Sequence, residues 1–189
     1  MLLKKRLPRI PEAGVPTCEF LHLKTSPMIE IRCDEKWENL INKSELQKIL
    51  TIFLKYLYAG EGGISLYIAN DAVIQKLNRE FRGKDCPTDI LSWAYDEDDP
   101  GMFEAQMSEA ELENSESTGV AGELVLSGER VSQQATENGW DFETELFRLL
   151  AHGCAHLAGW NHERSSEEAS EMLELETELL KKVGLTNIY

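Results

Sequence analysis

The chain carries no apolar run approaching the roughly 20 residues that a bilayer-crossing helix needs, which excludes an integral membrane role by that route. Its four cysteines, Cys18, Cys33, Cys86 and Cys154, form neither a CxxC pair nor a recognisable disulfide spacing, so a reducing, cytoplasmic setting is expected. Cations are also scarce, with 19 lysines and arginines against 34 acidic side chains and a formal net charge of −15. That balance is the wrong sign for gripping a nucleic acid through a broadly basic surface, so any contact with RNA must be local.

The charge is unevenly spread. From Asp96 to Glu116 the sequence is rich in carboxylates and has no lysine or arginine, which reads as an acidic surface insertion over about 96–118. Lys4, Lys5, Arg6 and Arg9 lie in an N-terminal arm, residues 1–26, broken by Pro8, Pro11 and Pro16. Without an apolar core, that arm reads as neither signal peptide nor anchor. At 189 residues and 42% hydrophobic content, residues 27–189 suffice for one domain with a sizeable core.

Periodicity predicts the elements. Met28, Ile29, Ile31 and Cys33 suggest a first strand, and alternation of Ile64, Leu66 and Ile68 a second; Ile90–Tyr95 and Val120–Leu126 read as two more. Leu46, Ile49, Leu50, Phe53, Leu54 and Leu57 recur at helical spacing after Ser44 and Gln47, a capping-box pair. Asp71 is expected to cap a helix ending at Gly83, and Asp141 one ending at Gly159, with a further helix over about 129–138 between them. Ser165 with Glu168 opens a final helix that Gly184 closes. The predicted class is α/β: a mixed central sheet of about four strands flanked by five to six helices.

Three of the four histidines fall within eleven residues, HGCAHLAGWNH. His152 and His156 are one turn apart on a helical face, the placement that two ligands of one tetrahedral metal require. Gly159 allows the chain to reverse, so His162 can return as a third ligand and leave a fourth position open, as in catalytic zinc sites. One Zn2+ per chain is expected, although three imidazoles also accept other divalent transition metals. Cys154 lies roughly 200° around the helix from either histidine, so its thiol should enter the core. The spacing also matches HExxHxxGxxH of metzincin proteases, but Gly153 replaces the glutamate that activates water there. Of the other carboxylates, Glu163 and Glu123 are the ones to weigh as neighbours of the bound water.

Upstream, LNREFRGKDCPTDILSW (Leu77–Trp93) concentrates Arg79, Arg82 and Lys84. These side chains suit a phosphate-binding patch, and equally suit a helix C-terminus, where cations are favoured. Together the segments resemble the YbeY family of ribosomal-RNA endoribonucleases, whose pattern runs LNxxFRxxDxPTDVLSFP, then GDIxIS, then HGxLHLxGxDH. The likeness extends from about Leu66 to His162.

The resemblance implies a mixed sheet flanked by helices, a zinc-type site on His152, His156 and His162, and Arg82 as the functional arginine of a cleft. It implies cleavage of single-stranded RNA in maturation of the small-subunit (16S) 3′ end and in ribosome quality control. Partners would be ribosomal RNA, the small subunit, ribosomal proteins and an assembly GTPase, with no DNA or membrane. Trp93 stands where the family has phenylalanine, Ala121-Gly122-Glu123 where it has Leu-Gly-Asp, and Asn161 where it has an aspartate. An aspartate at 161 could orient a histidine, whereas asparagine keeps the oxygen and loses the charge. Two other readings remain: a ribosome-assembly binding factor with a mainly structural metal, and a metalloprotease.

Overall fold

A computed structural model of the chain describes residues 27–58, 63–94, 120–160, 162 and 165–189. The N-terminal arm, the acidic insertion, Asn161 and Glu163 lie outside the described residues. Four strands form one sheet in the order β1-β2-β4-β3: β1 Met28–Cys33, β2 Gly63–Ala69, β3 Ile90–Ala94 and β4 Val120–Ser127. β1, β2 and β4 are parallel, and β3 runs antiparallel along β4 as an edge strand. Six helices accompany them among the described residues: α1 Glu35–Glu38, α2 Lys43–Tyr58, α3 Asp71–Arg82, α4 Gly128–Asn138, α5 Phe142–Leu157 and α6 Ser166–Lys182. The predicted α/β class, strand number and helix number therefore hold. No helix among the described residues is long and apolar enough to cross a membrane.

Strand alternation divides the sheet into two unequal faces. Ile64, Leu66, Ile68, Ile90, Leu124 and Leu126 point to one side, where Leu50, Phe53, Leu54, Leu150 and Leu179 from α2, α5 and α6 complete the larger core. Tyr67, Leu91, Trp93 and Val125 point to the other, where, among the described residues, α3 supplies Val73, Ile74 and Leu77. On that side lies a cavity of about 420 Å³, lined by Asp34, Ser65, Tyr67 and Glu123 among others.

The helix boundaries fall close to expectation, but two caps are displaced by one or two residues. Asn42, not Ser44, receives the Glu45 N–H of α2 at 3.2 Å. Asn70, not Asp71, receives the Val73 N–H of α3 at 3.0 Å. Asn and Asp are near-equal caps, so neighbouring candidates compete. Asp71 instead accepts from the Ser127 hydroxyl at 2.5 Å and pairs with Arg130, tying α3 to the start of α4. The short α1 was not anticipated. It seats Trp37, only 4% exposed, against Phe142 with ring centroids 5.9 Å apart. A Cβ at Gly128 would meet the Trp37 ring at 2.2 Å, so glycine there makes room for it.

Candidate metal centre

α5 brings the histidines to one end of the sheet. Asp141 caps it as expected, accepting the Thr144 N–H at 2.7 Å. Its buried stripe of Leu146, Leu149, Leu150 and Cys154 packs on the apolar face. Gly153 lies against the sheet itself: a Cβ there would approach Ile90 Cδ1 to 2.6 Å and Leu124 Cδ2 to 2.7 Å. One turn on, Leu157 lies over Gly122, which pairs with Ala94 at the end of β3.

Beyond Leu157 the helix stops on a glycine turn. The Gly159 N–H bonds the His156 carbonyl at 2.9 Å and the Trp160 N–H bonds the Ala155 carbonyl at 3.1 Å, with Gly159 at φ +90°. That left-handed conformation is the one glycine adopts freely. The reversal gathers His152, His156 and His162 so that one ring nitrogen from each lies within 4.8 Å of the others. The three histidines predicted as ligands are thus brought together. His152 and His156 are half-buried and His162 is exposed.

Hydrogen bonding decides which nitrogens face inward. His152 Nδ1 lies 2.8 Å from a Glu176 carboxylate oxygen. His156 Nδ1 lies 3.0 Å from the Trp160 carbonyl. A carbonyl and an ionised carboxylate can only accept, so both contacts favour the tautomer with its proton on Nδ1 and its Nε2 toward the other histidines. Those two Nε2 atoms are 3.2 Å apart. Zinc bonds of about 2.0–2.1 Å in tetrahedral geometry set ligand nitrogens about 3.3 Å apart, close to that separation. Among the described residues, the donor set of three imidazoles fits a divalent metal. Burial first, and then neighbouring His152, holds the His156 imidazole below its usual pKa and favours the neutral ring that coordination requires.

Cys154 behaves as its helical position predicts. It is fully buried, and burial pushes its thiol up to about 12, so no thiolate competes for the site. Glu123 does not serve the histidines: it projects to the α3 side of the sheet and lines the cavity there, whereas Gly122 and Leu124 beside it face α5. Among the described residues, the carboxylate that reaches the cluster is Glu176 of α6, which sequence reasoning missed. Its signal was position: it sits in the apolar stripe Met172, Glu176, Leu179, Leu180, where a charged residue needs a partner.

Arg82 ends α3, with Gly83 in the left-handed conformation beyond it. It is exposed and joins no ion pair among the described residues, while Arg79 reaches Asp85 at 3.5 Å. Neighbouring Phe81 meets Trp93 edge-on at 5.9 Å. Trp93 immediately precedes Ala94, so Arg82 and the histidine turn occupy the same end of β3, approached from opposite faces.

A mixed sheet with a three-histidine cluster at the end of an edge strand defines the class, a candidate metal-dependent α/β protein. The comparisons with known proteins specify it further. The family model described as "Endoribonuclease YbeY" matches residues 29–184. An endoribonuclease YbeY of Brevibacillus brevis is 35% identical over 168 residues, 89% of this chain and 97% of that protein. That of Bacillus licheniformis is 35% identical over 144 residues, covering 76% and 86%. The solution structure of TM1509 from Thermotoga maritima matches with a TM-score of 0.55 and 28% identity over 82% of this chain and 89% of that one. The chain belongs to the YbeY endoribonuclease family.

Proposed function

We propose that the chain is a metal-dependent endoribonuclease that cuts single-stranded RNA, acting in maturation of the 3′ end of small-subunit ribosomal RNA and in ribosome quality control. The observation that carries this reading is the convergence of the His152 and His156 Nε2 atoms, 3.2 Å apart, beside His162. His152, His156 and His162 would hold the metal, zinc by preference. A metal there supplies Lewis-acid stabilisation of the charge that develops on a scissile phosphate.

The chain's own residues do the rest. Glu176 and the Trp160 carbonyl fix two imidazoles in the coordinating tautomer. Arg82, exposed at the same end of β3, offers a forked guanidinium to a phosphate, with Arg79 and Lys84 adding local positive charge to an acidic chain. Expected partners are ribosomal RNA, the small subunit, ribosomal proteins and an assembly GTPase, in the cytoplasm, as the family relationship suggests. Gly153 argues against peptide hydrolysis by the metzincin route, since a glutamate there would be driven into Ile90 and Leu124.

The test measures metal content and cleavage of a ribosomal-RNA fragment for wild type, His156→Ala and Arg82→Glu. Wild type should bind about one metal and cut; His156→Ala should lose both; Arg82→Glu should keep metal and lose cutting. Metal-loaded protein that binds RNA without metal-dependent cleavage would instead favour a ribosome-assembly factor.

A further inference from the structure

A line of polar side chains runs through an otherwise apolar interface between α5 and α6 and ends on His152. Glu176 is only 5% exposed and takes His152 Nδ1 on one oxygen at 2.8 Å. Its other oxygen accepts from the hydroxyl of Tyr189, in the segment that follows α6. Arg148 of α5 is clamped by both oxygens of fully buried Glu145, at 2.6 and 3.0 Å.

Burying a carboxylate in such a stripe costs several kcal/mol unless its oxygens are satisfied, so a helix packing surface alone gives no reason for glutamate at 176. Both oxygens are in fact satisfied, one by a candidate metal ligand and one by Tyr189. An ionised carboxylate accepts only, whereas an amide in its place could donate to Nδ1 and turn the ring's lone pair away from the cluster.

We propose that Glu176 is a positioning residue that fixes His152 with its proton on Nδ1 and its Nε2 lone pair toward the metal, and that Tyr189 holds Glu176 in that pose. Docking of the 185–189 segment on α5 and α6 and loading of the metal are thereby linked. This deepens the reading of His152 as a ligand and rests on it.

The test uses Glu176→Gln and Tyr189→Phe in the full chain. In metal-free protein, nitrogen-15 shifts of the His152 ring should report the Nδ1–H tautomer for wild type and a shift toward Nε2–H for Glu176→Gln. Zinc affinity, measured by chelator competition, should fall about ten- to a hundredfold for Glu176→Gln and about fivefold for Tyr189→Phe. Metal-free melting temperatures should stay close to wild type, a readout that separates positioning from folding.

Unchanged affinity in Glu176→Gln, an unchanged His152 tautomer, or affinity lost only in step with unfolding would each overturn the proposal. Should Glu176→Gln fail to fold, Tyr189→Phe carries the same two readouts. A wild type that binds no zinc would defeat the metal reading, and the ring tautomer would still decide whether Glu176 sets the imidazole.

Discussion

The two places to which chemistry is assigned are built in opposite ways. The histidine pair sits half-buried at the end of a helix packed on the sheet and on three other helices, each Nδ1 held by an acceptor. Arg82 stands exposed at the end of the one helix covering the other face, without an ion-pair partner among the described residues. A metal centre gains from preorganised ligands, because every degree of freedom removed beforehand is not lost on binding. A phosphate clamp for a flexible strand gains from reach, and an uncommitted guanidinium has no bond to break before it engages.

The comparison can be broken at either end. The largest effect is expected of His156→Ala, which should lose stoichiometric metal and bring RNA cleavage to background, while the fold, measured by circular dichroism, persists. Retained metal would mean that the ligand set is misassigned. Next comes Arg82→Glu, expected to lower cleavage by about a hundredfold while leaving zinc affinity unchanged. It should also flatten the dependence of RNA binding on salt, since a phosphate contact is lost. Loss of metal in this variant would show the two regions to be one unit.

Gly153→Glu tests the packed side of the histidine helix. Its side chain would enter the contact with Ile90 and Leu124, so a loss of about 2–4 kcal/mol in denaturant unfolding is expected, with no gain of peptidase activity. Wild-type stability would show that the sheet can open there.

The smallest effect concerns Asp89, where β3 begins. Burial would raise its carboxyl, yet bonds from Gln134, the Ile90 N–H and Thr88 outweigh that and hold it below the usual carboxylate range. A depressed folded-state pKa contributes stability that is present above the unfolded value and lost as pH falls through the folded one. Asp89→Asn should therefore cost about 1–2 kcal/mol near neutral pH, and its deficit relative to wild type should narrow below about pH 4. A pH-independent deficit would show that only the shape of the side chain matters.

Much of this was legible in the sequence where the signal is local. The four strands, the major helices, the inward thiol of Cys154 and the gathering of the three histidines all follow from periodicity and from one glycine. Long-range contacts were not legible. Nothing in the spacing joins Glu176 to His152 across 24 residues, or aims the Trp160 carbonyl at His156. Glu123 was a reasonable candidate by chain order alone, and the period-2 alternation of β4 sends it to the wrong face. Trp37 filling the space over Gly128 likewise depends on two segments that meet only in the fold.

The central claim is that three imidazoles and no thiol hold one metal per chain. X-ray absorption on the zinc-loaded protein reads this directly. The account predicts one zinc per chain with three histidine nitrogens at about 2.0–2.1 Å and one further light atom. A sulfur at about 2.3 Å would bring in Cys154, and zinc in less than stoichiometric amount would contradict the site itself.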